Sequence, residues 1–178
     1  MRGQAAPRHT LANGRIRIRR ARAADAPSLI AVLYDTFEST WRPNVSEAAA
    51  RAFLDEDRPG QYVSSRGLEF RVAVRDGEVA GLVHWQEDFV HALHVRRAAA
   101  RSGVGRRLMD HAERAIARAG FPTVRLETDT FNEAARAFYA TRGFREAGRY
   151  PDSEWKSGLT TLLLVKRLGR PRLRQINT

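Results

Sequence analysis

Two groups of residues in this chain have the types and spacing to do chemistry. The first is a stretch of backbone and cations. Phe89-Val-His-Ala-Leu-His-Val95 runs into Arg96-Arg-Ala-Ala-Ala-Arg-Ser-Gly-Val-Gly105, and residues 96–107 hold five arginines and no acid. Glycines let the backbone approach an anion without a Cβ in the way. A helix starting directly behind them adds free N–H groups and a positive dipole end. The pattern predicts a site for a phosphorylated cofactor. The glycine spacing rules out two common versions of such a site. A dinucleotide fingerprint needs a third Gly or Ala three residues after Gly105, where Leu108 stands, and no P-loop Gly-Lys-Ser/Thr is present. The second group is titratable: His84, His91 and His94, with Glu127 further on. His84 and His94 have no partners at metal-ligand spacing, so no metal is expected. The chain has no cysteine, which excludes disulfides, thiolate ligands and a cysteinyl acyl-enzyme.

These residues need elements to hold them. Arg15-Ile-Arg-Ile-Arg19 alternates and predicts a first strand with Ile16 and Ile18 inward. Asp25 before Pro27 predicts a helix start. Leu29, Val32, Leu33 and Phe37 keep helical spacing until Trp41-Arg-Pro-Asn breaks it. Ser46 starts a second helix, which Asp55 to Gly60 ends. Leu68, Phe70, Val72 and Val74 alternate as a strand, Asp76-Gly77 is a hairpin turn, and Glu78 to Gln86 is its partner. The strand 89–95 follows. Then comes a helix over 106–119, with His111 on its surface and Gly120 at its end. Residues 123–128 predict a strand. Asn132 caps a helix over 133–142, and 144–149 and 159–168 predict two closing strands. This order is α/β with a mixed sheet. One domain is expected over 15–168, between a disordered basic arm at 1–14 and a basic tail at 169–178.

The net charge of +11 looks like a nucleic-acid signal until it is mapped. Residues 1–22 and 166–178 carry twelve of the Lys and Arg residues and no acid, leaving 19 basic and 20 acidic side chains between them. The ends read as solvated tails on a near-neutral domain. With no stacking platform or recognition motif, nucleic acid is not the expected partner. Within the body, residues 23–95 are acidic and residues 96–165 basic. That split suits a cationic acceptor meeting an anionic cofactor. No apolar run approaches the ~18 residues of a membrane helix, and no secretory signal opens the chain. A cytoplasmic protein without a membrane partner is expected.

A second motif gives the anion site a ligand. Asn132-x-x-Ala135-x-x-x-Tyr139-x-x-x-Gly143-Phe144 resembles the GNAT superfamily of N-acetyltransferases, which use acetyl-CoA. Leu93-His-Val95 and Ala100-Arg-Ser-Gly-Val-Gly105 precede it in the family's order and spacing. Ala100 stands where the family usually has Gln or Arg, and Arg101 or Arg106 would supply the charge instead. The resemblance implies a mixed, mostly antiparallel central sheet flanked by helices. It puts the pyrophosphate on the amides of Arg101, Ser102, Gly103, Val104, Gly105 and Arg106. Pantetheine would lie beside Leu93, His94 and Val95, where the family splays two strands apart. Asn132 would contact the cofactor arm.

Acyl transfer from a thioester to an amine needs a base for the amine, donors for the carbonyl oxygen and an acid for the thiolate. Tyr139 matches the family's acid, and strand amides near His94 and Val95 are the natural donors. Glu127 matches the base of the ribosomal-protein alanine acetyltransferase branch, and His91 matches a histidine of the arylalkylamine branch. Phe89 takes a position where many members carry Glu or His. The acceptor pocket would be lined by Trp41, Tyr150 and Trp155. Asp35, Glu38, Asp152 and Glu154 would attract an ammonium group. The reading is an N-acetyltransferase acting on a primary amine in a ternary complex. A small molecule is expected as acceptor, with a protein N-terminus as the alternative and a homodimer admitted. Ala100 and Phe89 also keep open a non-catalytic CoA-binding sensor.

Overall fold

A seven-stranded sheet carries the chain, in the order β1-β2-β3-β4-β5-β7-β6. Its strands are β1 (Arg17–Arg20), β2 (Arg71–Arg75), β3 (Glu78–Gln86), β4 (Phe89–Val95), β5 (Thr123–Asp129), β6 (Arg145–Pro151) and β7 (Thr160–Arg167). Neighbours pair antiparallel except β4 and β5, which are parallel. The structure is a computed structural model that describes residues 15–152 and 157–169. The expected arm at 1–14, most of the expected tail, and Glu154 and Trp155 lie outside the described residues.

Helices cover both faces. On one face lies α4 (Val104–Arg118), whose Val104, Leu108, Met109, Ala112 and Ile116 are fully buried. Their spacing makes one stripe on a 3.6-residue helix. It packs on Val83, Val90, Val124 and Leu126 of the sheet. On the opposite face α1 (Ala26–Thr36) buries Leu29, Val32 and Leu33 against Phe70, Val72, Leu82 and Ala92. The sheet interior therefore alternates between two cores, and β4 contributes Val90 to one and Ala92 to the other. The Asp76-Gly77 hairpin turn forms as expected, with both residues at positive φ (52° and 85°). α5 (Glu133–Thr141) starts behind Asn132 and packs Ala135, Phe138 and Tyr139 against the core on the α4 face.

Four local expectations change. Asp55 to Gly60 ends α2 (Glu47–Asp55) but also opens a further helix, α3 (Arg58–Arg66). Asp57 sits in the left-handed region (φ 44°), and its side chain accepts the Gly60 N–H at 3.2 Å. The Asp-Arg-Pro-Gly run is thus a turn and a cap together. Leu68 belongs to a 3-10 turn and is 64% exposed, so β2 starts only at Arg71. Asp25 does not cap α1 with its side chain. Its carboxylate takes the Arg19 guanidinium at 2.6 and 2.8 Å and the Arg22 N–H at 2.7 Å. His111 is half-buried with its ring 5.9 Å from Trp85, rather than on the surface.

Candidate active site

The site begins where the one parallel pair comes apart. Phe89 pairs with Arg125 and Val90 with Leu126, and the register stops there. Beyond that point β4 keeps β3 as its neighbour and β5 keeps β7. The strands open as a fork with its apex at Val90 and Leu126. His91 follows Val90, Glu127 follows Leu126, and both stand at the apex on facing strands.

A bulge sets what β4 offers to the fork. Trp85 pairs with Val90 and His84 with Ala92, so the register steps over His91. The extra residue shifts the alternation of the ladder. The Arg96 N–H donates to the Ala80 carbonyl at 2.9 Å, marking a hydrogen-bonded pair. Counting back by twos, His94 is bonded to β3, while the N–H and C=O groups of Leu93 and Val95 turn toward the open side. His94 therefore keeps its backbone in the sheet and presents its side chain to α1.

At the far end of β4 the loop is shaped for an anion. A 3-10 turn at Arg97–Ala99 leads in, and Ser102 Oγ donates to the Ala99 carbonyl at 2.6 Å. Arg101 (φ 58°) and Gly103 (φ 88°) both lie in the left-handed region. α4 then starts with no side-chain cap, which leaves its first-turn N–H groups for a ligand. The Nε of Arg96 is buried without a hydrogen-bond partner. Such an orphan is costly unless something accepts from it. A Cβ built on Gly105 would lie 3.5 Å from Val95 and 3.8 Å from Phe138, so glycine keeps the space between β4 and α5 clear. A guanidinium nitrogen without a partner, uncapped amides and a glycine-cleared space fit the phosphates of a CoA-type group.

The α5 side carries the two motif residues. Asn132 Oδ1 accepts the Ala135 N–H at 3.1 Å, so this side chain caps α5. Tyr139 is 7% exposed, edge-on to Phe138 and Phe144. Burial pushes its phenol up, so it stays protonated at working pH. Phe138 is the less buried of the two and carries the Arg142 guanidinium over its ring.

The opposite face of the fork is built from side chains. Leu126 points toward α4, so Glu127 and Asp129 point the other way. The Tyr150 hydroxyl from β6 makes a short hydrogen bond to Glu127 Oε1. Burial, and then this carboxylate, raise the Tyr150 phenol to about 12. The Trp41 indole donates to Asp129 Oδ2 at 2.8 Å. Asp129 is pushed up by burial and by the negative charges of Asp152 and Glu127, against the pull of the indole. His94 Nδ1 is 2.8 Å from Thr36 Oγ1, and its ring lies 5.9 Å from that of Trp41. Burial lowers it to about 4, so it is neutral. His91 stacks on His84 at 5.3 Å and lies 5.0 Å from Phe89. His84 itself is buried between the Tyr62 hydroxyl (2.6 Å) and Glu69 (3.1 Å).

The expected residues thus divide. Trp41, Tyr150 and Asp152 gather around Asp129 and Glu127 on the α1 side of the fork, and His91 stands against His84 and Phe89. Asp35 and Glu38 do not act there as free anions. Asp35 accepts the Arg97 N–H at 2.6 Å, and Glu38 faces Arg42 at 3.5 Å. Thr36 and Asp129 join the site without having been singled out in the sequence. Asp129 was detectable as the second acid of matching parity on β5. Thr36, inside a helix, gave no signal.

The sequence profile described as the acetyltransferase (GNAT) family matches residues 30–144. A blasticidin-S acetyltransferase of Streptomyces morookaense is 38% identical over 92 residues, which is 52% of this chain and 65% of that protein. The chain thus spans just under two thirds of that relative's length. In solved structures, the apo form of YjaB from Escherichia coli superposes with a TM-score of 0.71 at 25% identity, over 84% of this chain and 96% of that one. A PaiA N-acetyltransferase from Thermoplasma acidophilum, solved with coenzyme A, gives 0.67 at 19% identity, over 86% of this chain and 99% of that one.

Proposed function

This chain belongs to the GNAT acetyltransferase family, and we propose that it moves an acetyl group from acetyl-CoA to the primary amine of a small molecule, by direct attack within a ternary complex. The observation that carries the reading is the fork between β4 and β5. It has unpaired strand groups of Leu93 and Val95 along one arm and the uncapped start of α4 at its end.

Bound acetyl-CoA supplies the activated acetyl thioester. The chain's own residues supply the rest. The first-turn amides of α4 and the loop amides from Arg101 to Arg106 hold the phosphates, and the half-buried Arg96 adds a cation whose Nε has no hydrogen-bond partner. The Leu93 and Val95 groups pair with the amide-bearing arm, as an added strand would. An N–H donor fixed on this strand can polarise the carbonyl oxygen without reorganising. Tyr139 keeps its proton on the phenol and donates it in a hydrogen bond to the departing sulfur. A thiolate is a weaker base than a phenolate, so this donation stabilises the leaving group rather than ending as full transfer. Glu127 accepts the proton that the ammonium must lose before attack, directly or through a water, with His91 beside it at the apex. The second N–H proton, lost as the C–N bond replaces the C–S bond, passes to solvent. The Tyr150 hydroxyl orients the carboxylate for that task.

The acceptor is read from the α1 side of the fork. Glu127, Asp129 and Asp152 meet there with the rings of Trp41 and Tyr150, a lining that favours a compact cation over a neutral ligand. The blasticidin-S acetyltransferase relative is named for a small-molecule substrate, which supports the same choice. The test is Tyr139→Phe. Turnover falls by about 10²-fold while the Kd for CoA, measured by calorimetry, stays within about two-fold. Unchanged turnover would remove Tyr139 from the chemistry.

A further inference from the structure

Nothing in the sheet holds the two arms of the fork at a fixed distance. Past Val90 and Leu126 the paired register between β4 and β5 ends, and each arm belongs to a different neighbour. Strand edges left unpaired in this way are free to move with sheet twist unless another element ties them. α4 packs beneath both strands on its own face, and on the α1 face one segment touches both arms. At the C-terminal end of α1, Asp35 Oδ2 accepts the Arg97 N–H at 2.6 Å, just beyond β4. The next residue, Thr36, holds His94 of β4 at 2.8 Å. The helix then widens into a π-helical turn at Phe37–Trp41. That turn carries the chain across the opening, and Trp41 ends it by donating to Asp129 of β5 at 2.8 Å. Single π turns inside helices recur at functional sites. This one has its own anchor: Phe37 is 2% exposed and stacks on Phe53 of α2 at 3.8 Å. A regular α-helical continuation would turn Trp41 to a different angle about the helix axis.

We infer that residues 35–41 form a strap that fixes the width of the fork, with the Trp41–Asp129 hydrogen bond as its closing contact. Asp35, Thr36 and Trp41 are then positioning residues for the cofactor. They act through β4 and β5 and lie on the face from which the acceptor enters. The consequence is a coupling between the two sites. An ammonium group drawn to Asp129 competes with the indole for the same carboxylate, so acceptor binding loosens the strap and CoA binding tightens it. The inference rests on the cofactor lying in the fork, as proposed above.

The experiment measures CoA affinity by calorimetry with no acceptor present, so that a mere change in the acceptor pocket is silent. Trp41→Phe keeps an aromatic ring against His94 and loses the N–H, and it weakens CoA binding roughly ten-fold. Asp129→Ala breaks the same bond from the other strand and gives the same shift. The double variant is no weaker than either single one. Asp129→Asn retains an oxygen for the indole and stays within about two-fold of the wild type. Two results overturn the strap while leaving the function intact. One is a wild type that binds CoA beside Trp41→Phe and Asp129→Ala proteins that bind it equally well. The other is an Asp129→Asn protein as weak as Asp129→Ala, which would make charge the cause. A wild type that binds no CoA overturns the strap together with the reading of function beneath it.

Discussion

The two sides of the fork are built from different materials. On the α4 side the working groups are backbone: the Leu93 and Val95 edges, the amides around Gly103, and the first turn of α4. On the α1 side they would be side chains far apart in the sequence: Thr36 and Trp41, His91 and His94, Glu127 and Asp129, Tyr150, and Asp152. Backbone groups are the same whatever the residue, so on the proposed reading the first side would tolerate Ala100 where the family usually has Gln or Arg. Side-chain groups change with every substitution, so the second side is free to set the acceptor.

If this contrast is right, side-chain removal on the α1 side changes turnover most. Glu127→Gln keeps the hydrogen bond from Tyr150 and loses the proton acceptor. Its kcat falls by about 10²-fold with CoA affinity retained. A loss confined to CoA binding would move Glu127 to the cofactor side and blur the division. The backbone side should respond to conformation and not to chemistry. Gly103→Val forces a β-branched residue to φ 88°, where strain costs about 1–2 kcal/mol. CoA affinity drops roughly ten-fold, whereas Gly103→Ala drops less. Equal affinity in both variants would show that the loop does not need this conformation.

Protonation sharpens the same contrast, because the α1 face carries the buried histidines. Burial holds His84 and His94 below their ordinary values, His94 at about 4. The unfolded chain binds the protons that these rings refuse when folded. Stability therefore falls as pH drops from about 6.5 toward 4, with no further loss from His94 below that. A melting series between pH 7 and pH 4 shows the fall, and His94→Gln makes it shallower. The smallest effect is expected at Ala100. Restoring the cation with Ala100→Arg tightens CoA by no more than about three-fold, since exposed charge contributes little beside fixed amides.

The sequence revealed these two sides unequally, for a physical reason. The backbone side is local. A strand, two glycines, a helix start and Asn132 to Phe144 are short stretches whose spacing is set by one loop or one helix, so these elements could be read directly. The hairpin at Asp76-Gly77 and the span of β3 were legible in the same way. α3 was not, because Asp-Arg-Pro-Gly breaks one helix and caps the next with the same residues. The α1 side depends on distance. That Trp41 meets Asp129, that Tyr150 meets Glu127, and that Thr36 meets His94 follows from sheet order and from a π-helical turn. Neither leaves a periodic trace. The bulge at His91, which decides that Leu93 and Val95 rather than His94 turn their amides to the fork, is likewise a property of pairing and not of composition.

The measurement that bears most directly on the whole account is amine-dependent release of free CoA thiol from acetyl-CoA. It is followed across mono-cationic and di-cationic small amines and a peptide with a free N-terminus. The account predicts release that requires an amine, is fastest with the small cationic acceptors, and drops by about 10²-fold in Tyr139→Phe. Tight CoA binding with no thiol release from any amine would contradict it and leave a CoA-binding protein without catalysis.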